Sequence, residues 1–232
     1  STTGSNRIMN VQPILAADRE GPVAVGHNGN FTNTRALHEM LIQKGAIFQT
    51  TVDSELVIHL LATSQKPTFE ERLSEALTQI EGAYCLVMLT KDSIIGARDP
   101  YGFRPLCLGK TETGWVIASE TCALDIIGAE YVREVEPGEI VIIDKNGPRS
   151  IKPHPAQEPH FCIFEYIYFS RPDSFIFGEC VDTIRRSIGR QLAVEHPVKA
   201  DIVISVPDSS NSAALGYSAV SGFPFEIGLI RN

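Results

Sequence analysis

Val23-Ala24-Val25-Gly26-His27-Asn28-Gly29-Asn30-Phe31-Thr32-Asn33 runs from a short buried-strand pattern through an Asn-Gly turn towards a helix, and Thr50-Thr51-Val52-Asp53-Ser54-Glu55 opens the helix after that one. A side-chain amide followed by glycine at the end of an apolar run can aim two N–H donors at one point, which is what an acyl-transfer oxyanion needs. An aspartate opening the next helix can sit across the same pocket and hold a substrate ammonium. Each feature also has a plain structural use. Asn-Gly is the commonest short-hairpin signal, and Asp53 is a good helix N-cap, worth ~1 kcal/mol.

Working outward, a helix is expected over about residues 32–44, with Leu37, Met40 and Leu41 on one face and Gly45 as its stop. A second helix starts at Asp53 and carries Leu56, Val57, Leu60 and Leu61 inward. A third opens with the capping box Thr68-x-x-Glu71 and runs to about Ile80. The texture then changes. Residues 83–89, 94–97, 106–108, 115–118 and 139–143 form short apolar or alternating runs broken by Gly, Pro and Asp, the pattern of antiparallel strands. Residues 153–159 are poor in apolar side chains and mark a boundary. Beyond it, 162–169 read as a strand, 181–195 as a helix, 201–206 as a strand, 207–210 as a tight turn, 211–220 as a helix and 223–229 as a strand. That βαβ rhythm belongs to a parallel α/β domain. The expected organisation is one α+β domain over 1–158, with sheets packed between helical layers, and the beginning of an α/β domain over 159–232.

The composition, 43% hydrophobic and 21% charged in 232 residues, is that of a globular protein. Net charge is -8 and no basic run exceeds Arg185-Arg186, which argues against a nucleic-acid groove, since phosphate binding needs clustered positive charge. No apolar run reaches the ~18 residues of a membrane span, and no signal peptide is visible. The 5 cysteines (85, 107, 122, 162 and 180) are odd in number and lack a C-x-x-C spacing, which reads as reduced thiols in a cytoplasmic protein. Cys85, Cys107 and Cys122 are expected as buried small hydrophobes. The six histidines form no ligand-spaced set and read as structural or surface residues. Arg185, Arg186 and Arg190 fit the solvated face of a helix. The chain opens Ser1-Thr2-Thr3-Gly4 without Met and closes on Ile230-Arg231-Asn232 directly after a strand-like run, so it reads as an excerpt of a longer polypeptide.

Four segments taken together, His27–Asn33, Thr51-x-Asp53-Ser54-Glu55, Ala97-Arg98-Asp99-Pro100-Tyr101-Gly102-Phe103-Arg104-Pro105-Leu106 and Ala118–Leu124, resemble the class II glutamine amidotransferases in order and spacing. These are enzymes of the N-terminal-nucleophile (Ntn) hydrolase type. The resemblance implies a four-layer αββα fold. It implies an oxyanion hole from the Asn28 side-chain amide and the Gly29 backbone N–H, and a place for the glutamine α-ammonium at Asp53. Arg98, Asp99 and Arg104 are expected to hold the fold by ion pairing. In that family the nucleophile is a cysteine at the mature N-terminus whose own α-amine is the base. The nucleophile and the arginine that holds the glutamine carboxylate would both fall upstream of Ser1, so this chain alone is expected to be inactive.

The second half narrows the resemblance. Phe161-Cys162-Ile163-Phe164-Glu165-Tyr166-Ile167-Tyr168-Phe169-Ser170-Arg171-Pro172-Asp173-Ser174 and Val206-Pro207-Asp208-Ser209-Ser210 are similar to segments of the amidophosphoribosyltransferase family, which joins an Ntn glutaminase to a type I phosphoribosyltransferase domain. By that resemblance, ammonia from glutamine displaces pyrophosphate from phosphoribosyl pyrophosphate, the first step of purine synthesis, and purine nucleotides inhibit. Pro207, Asp208, Ser209 and Ser210 would form the pyrophosphate loop at a helix start, where backbone N–H groups favour anions. Ser209 would approach a Mg²⁺ that accompanies the substrate. Cys162 would be the first ligand of a [4Fe–4S] cluster in members that carry one, the other three thiolates lying outside this chain. The family favours homotetramers. Two rivals remain: an amidotransferase feeding a sugar-isomerase or asparagine-forming domain, and a non-catalytic ligand-binding or regulatory protein of the Ntn type.

Overall fold

The computed structural model describes residues 4–231; Ser1–Thr3 of the opening segment, and Asn232, lie outside the described residues. By compactness the chain divides into two units. The first takes everything described up to Ser119 together with Val132–Phe161, and the second takes Glu120–Tyr131 with everything from Cys162 onward.

The first unit is built on a six-stranded antiparallel sheet. In chain order its strands are β1 (Ile14–Asp18), β2 (Gly21–Phe31), β3 (Gly82–Leu89), β4 (Ile94–Arg98), β8 (Ile140–Asp144) and β9 (Gly147–Ile151). A smaller sheet holds β5 (Cys107–Lys110), β6 (Trp115–Ala118) and β7 (Glu130–Glu134) in the order β6-β5-β7. Period-2 alternation sorts the central strands between two cores. Val23 and Val25 of β2, Tyr84, Leu86 and Met88 of β3, and Ile140 and Ile142 of β8 face helices α1 (Thr34–Gln43), α2 (Glu55–Thr63) and α3 (Phe69–Thr78). Cys85, Val141 and Ile143 point the other way and pack with Leu106, Leu108 and Val135 and with half-buried Trp115 and Ile117. The unit is therefore three layers deep, helices on a large sheet on a small sheet. Cys85, Cys107 and Cys122 are buried thiols, as expected.

Local signals explain most of these elements. The Thr68–Glu71 capping box forms with both of its bonds, Glu71 N–H to Thr68 Oγ1 and Thr68 N–H to the Glu71 carboxylate. The expected His27–Asn30 turn does not form. β2 runs straight through it to Phe31, in register with β3 from Ala24 opposite Leu89 to Phe31 opposite Gly82. Asp53 is not the N-cap of α2 either; Ser54 holds that position, and the Asp53 carboxylate is engaged elsewhere.

The second unit contains α4 (Thr121–Ile126), a two-residue hairpin of β10 (Phe175–Ile176) and β11 (Glu179–Cys180), and helices α5 (Val181–Glu195) and α6 (Asn211–Ser221). α5 and α6 cross closely enough that a Cβ on Gly189 would meet the Ala213 carbonyl oxygen at 1.9 Å, and one on Gly216 the Arg186 oxygen at 2.1 Å. The strand expected over 162–169 is instead a helical turn of the wide, i to i+5 kind at Glu165–Phe169. Arg185, expected on a solvated face, is 2% exposed and explains why. Its Nε donates to the Tyr166 carbonyl and its NH2 to the Ser170 carbonyl at 2.8 Å, acceptors that a strand would give to a neighbouring strand. The strands expected over 201–206 and 223–229 reduce to a single parallel bridge, Val203 with Phe225. Among the described residues no helix is long and apolar enough to cross a membrane.

Candidate functional site

The edge of β2 beyond the end of β1 positions the site. β1 pairs with β2 only as far as Val25, so the β2 backbone groups from His27 to Phe31 that face away from β3 have no strand beside them. Side chains take two of the N–H groups on that edge. His27 N–H donates to Gln12 Oε1 at 2.5 Å, and Phe31 N–H to Asp53 Oδ2 at 3.0 Å. Gly29 lies midway between them, and alternation turns its N–H to the same side. Tyr84, opposite Gly29, agrees: its N–H and C=O are both bonded to Asp99, on the β4 side, so they are not shared with Gly29. Gly29 thus presents a backbone donor on an open strand edge, about 6–7 Å along the chain from the N–H that holds Asp53.

Glycine is required there. With φ +152, a Cβ on Gly29 would stand 2.1 Å from the Ala83 carbonyl oxygen and 2.8 Å from His27 Nε2. The Asn28 side chain, on the opposite face from His27, is exposed, and Gly29 is half-buried.

Asp53 has no exposed surface. Its Oδ1 accepts from His27 Nδ1 at 3.2 Å while Oδ2 takes the Phe31 N–H. Burial pushes its pKa upward, but the His27 contact and the N–H groups of Phe31 and Ser54 outweigh this and hold it below the usual carboxylate range. The loop that delivers Asp53 is pinned at both ends. Glu55 accepts from Gln49 N–H and Thr50 N–H, each at 2.8 Å, and from Thr50 Oγ1 at 2.7 Å. Asn10 Oδ1 takes Thr51 N–H at 3.0 Å, and Thr51 Oγ1 accepts from Asn10 Nδ2 at 2.8 Å and from Ser5 N–H at 2.9 Å.

Arg98 and Asp99 shape the neighbouring loop, mainly through backbone bonds. Arg98 donates to the carbonyls of Gly102, Arg104 and Val135, with Glu134 at a longer 3.4 Å. Fully buried Asp99 accepts N–H bonds from Tyr84, Tyr101 and Phe103, and its pKa is raised by burial. The residue that sequence reasoning passed over is His27. Its signal was its place two residues after Val25, on the apolar face of the strand, where a polar ring needs a partner.

In the second unit, Pro207–Ser210 form a turn that leads into α6. Pro207, Asp208 and Ser209 line a cavity of about 530 Å³ with Tyr168, Arg185 and Arg231. Arg231 reaches Asp208 at 3.3 Å. Cys162 is half-buried, and among the described residues no group of three or more His, Cys, Asp or Glu side chains could hold a metal ion.

Comparison with known proteins adds three findings. Residues 5–125 match a family model described as a glutamine amidotransferase domain. Over its whole length the chain is 52% identical to a chloroplastic amidophosphoribosyltransferase of Vigna aconitifolia, 48% to an amidophosphoribosyltransferase of Rhizobium etli and 44% to one of Bacillus subtilis. It covers 48%, 48% and 49% of them, about half the length of these relatives. Among solved structures it is similar to the glutamine phosphoribosylpyrophosphate amidotransferase from B. subtilis complexed with ADP and GMP. The TM-score is 0.94 at 44% identity, over 98% of this chain and 50% of that one.

Proposed function

Because the chain belongs to the glutamine amidotransferase family, we propose that it forms the glutaminase domain of an amidophosphoribosyltransferase, over 1–158, and the beginning of its type I phosphoribosyltransferase domain, over 159–232. The observation that carries this is the strand edge: a free-facing Gly29 N–H beside Asn28, with a buried ionised carboxylate bonded two residues away. Glutamine spans about 6 Å from its α-nitrogen to its amide oxygen, five bonds of ~1.2–1.5 Å. That is close to the spacing of about 6–7 Å along β2 between the Gly29 donor and the Phe31 N–H that holds Asp53. In this reading the Asn28 amide and Gly29 N–H receive the oxyanion, and the α-ammonium pairs with Asp53. A carboxylate offers about four lone-pair sites, of which His27, Phe31 N–H and Ser54 N–H take three, and because the carboxylate is buried, its cover must part as glutamine enters.

The thiolate nucleophile and the arginine for the glutamine carboxylate would come from sequence outside the chain; of the four αββα layers the resemblance implies, the first unit shows three. Ammonia is protonated in bulk water at pH 7, and only the neutral form attacks. The physical reason for joining the two domains is therefore containment, so that ammonia reaches C1 of phosphoribosyl pyrophosphate and displaces pyrophosphate. The cavity of about 530 Å³ lined by Arg185, Arg231 and Pro207–Ser209 suits a multiply charged phosphate group. Mg²⁺ would enter with that substrate, the Ser209 hydroxyl supplementing its phosphate oxygens. A [4Fe–4S] cluster needs four thiolates. The described residues offer no such set, so Cys162 would supply one ligand at most. Feedback by purine nucleotides, a homotetramer and a cytoplasmic setting complete the proposal. The full-sequence likeness to amidophosphoribosyltransferases weighs against the sugar-isomerase and asparagine-forming rivals.

Asp53→Asn in the full-length polypeptide that carries this sequence tests the reading. Glutamine-dependent phosphoribosylamine formation should collapse while ammonia-dependent formation survives. Equal loss of both would overturn the role given to Asp53. The 232-residue chain alone should release no glutamate from glutamine; measurable release would contradict the placement of the nucleophile outside it.

A further inference from the structure

Resting on the glutaminase reading above, we propose that His27 is a positioning residue of the glutamine site: its imidazole fixes the Asp53 carboxylate and abuts Gly29, tying the ammonium anchor to the oxyanion donor. The ring has no exposed surface. Nδ1 lies 3.2 Å from Asp53 Oδ1, and an ionised carboxylate can only accept, so the proton of that bond sits on Nδ1. Nε2 is buried without a hydrogen-bond partner among the described residues, and it lies 2.8 Å from where a Cβ on Gly29 would be. The ring stacks on Phe31 with centroids 4.5 Å apart and planes at 25°. Phe31 in turn supplies the second donor to Asp53.

Two of the donors to the carboxylate, the His27 ring and the Phe31 N–H, therefore come from β2, the strand that carries Asn28 and Gly29, and Ser54 N–H adds a third from the loop. The spacing between the ammonium anchor and the oxyanion donor is set by one rigid strand, although Asp53 itself arrives on a loop. A histidine used only for packing would need neither the Nδ1 bond nor its approach to Gly29. One used only to hold α2 to β2 would affect every activity of the protein alike.

Two variants of the full-length polypeptide separate these cases. His27→Leu keeps bulk and removes the donor; His27→Asn restores an N–H close to the position of Nδ1. His27→Leu should raise the KM for glutamine about 10- to 100-fold, as expected for losing a charge-assisted hydrogen bond, with ammonia-dependent kcat unchanged. His27→Asn should bring that KM back to within about threefold of the parent. A His27→Leu variant with parental KM, or one that loses both activities equally, overturns the proposal. Should His27→Leu not fold, ¹⁵N NMR of the parent decides. The His27 ring should carry its proton on Nδ1, and Asp53→Asn should release that preference; an Nε2–H ring in the parent overturns the proposal. A parent with no glutamine-dependent activity overturns the glutaminase reading and this inference with it. Parental glutamine activity with an indifferent His27→Leu overturns this inference alone.

Discussion

Replacing Gly29 by alanine should damage the centre of the large sheet, and the geometry sets the size of the effect. The new Cβ would stand 2.1 Å from the Ala83 carbonyl oxygen and 2.8 Å from its carbon, both backbone atoms of the paired strand. Carbon–oxygen contacts normally begin near ~3.3 Å, so β2 and β3 must part by about 1 Å there. The adjoining Asn28–Cys85 and Asn30–Ala83 pairs stretch with them. Each cross-strand bond is worth ~0.5–1.5 kcal/mol net, overpacking adds ~1–3 kcal/mol, and alanine at this φ adds ~1 kcal/mol. The expected destabilisation is about 3–5 kcal/mol, a large share of the ~5–15 kcal/mol that holds a domain together. Trp115, the only tryptophan in the chain, packs against the second core of the same unit, so its fluorescence follows unfolding there. With a urea slope of ~2–3 kcal/mol/M, the midpoint should fall by about 1.5 M. A shift under ~0.3 M would mean that the two backbones do not approach as described, and the strand-edge geometry at Gly29 would fall with it.

Acid should unfold the first unit in a defined window. For Asp53, Glu55 and Glu139 burial pushes the pKa up, yet their hydrogen-bond donors and charged partners outweigh it and leave all three below their ordinary values. Their stabilisation is therefore full above the unfolded-state values and lost as pH falls below about 4; a midpoint in urea that does not fall between about pH 4 and pH 2 would contradict this. Glu55→Gln should cost about 1–2 kcal/mol and flatten that acid limb, because the carboxylate accepts from Gln49, Thr50 N–H and Thr50 Oγ1. An unchanged acid limb would show that Glu55 does not anchor the loop. Arg185→Leu should destabilise the second unit by about 2–4 kcal/mol, by stranding the Tyr166 and Ser170 carbonyls. Hydrogen exchange over residues 165–170 should speed up in that variant, and unchanged exchange would refute the role.

Much of the fold was legible because periodicity and capping are local. The Thr68–Glu71 box, the helix at 181–195 and the antiparallel strands all appear where their patterns place them. What was not legible depended on distant partners. The Asn-Gly turn gave way to a continuous strand because β3 pairs with all of residues 24–31. Asp53 left its capping position because two donors on β2 compete for the carboxylate. The stretch 162–169 has strand-like composition, but buried Arg185, some twenty residues later, takes its carbonyls. The candidate site divides in the same way. Asn28, Gly29 and Asp53 could be named from sequence, whereas the strand edge shared by the Gly29 and Phe31 N–H groups, the second of which holds Asp53, needed the register of β2.

The most direct measurement is a structure of the full-length polypeptide trapped with a glutamine-derived covalent label. The label's carbonyl oxygen is expected within about 2.7–3.1 Å of both Gly29 N and Asn28 Nδ2, with its α-ammonium on Asp53. A label bound with that oxygen elsewhere, while a protein acceptor takes the Gly29 N–H and Asp53 stays sealed, would contradict the assignment.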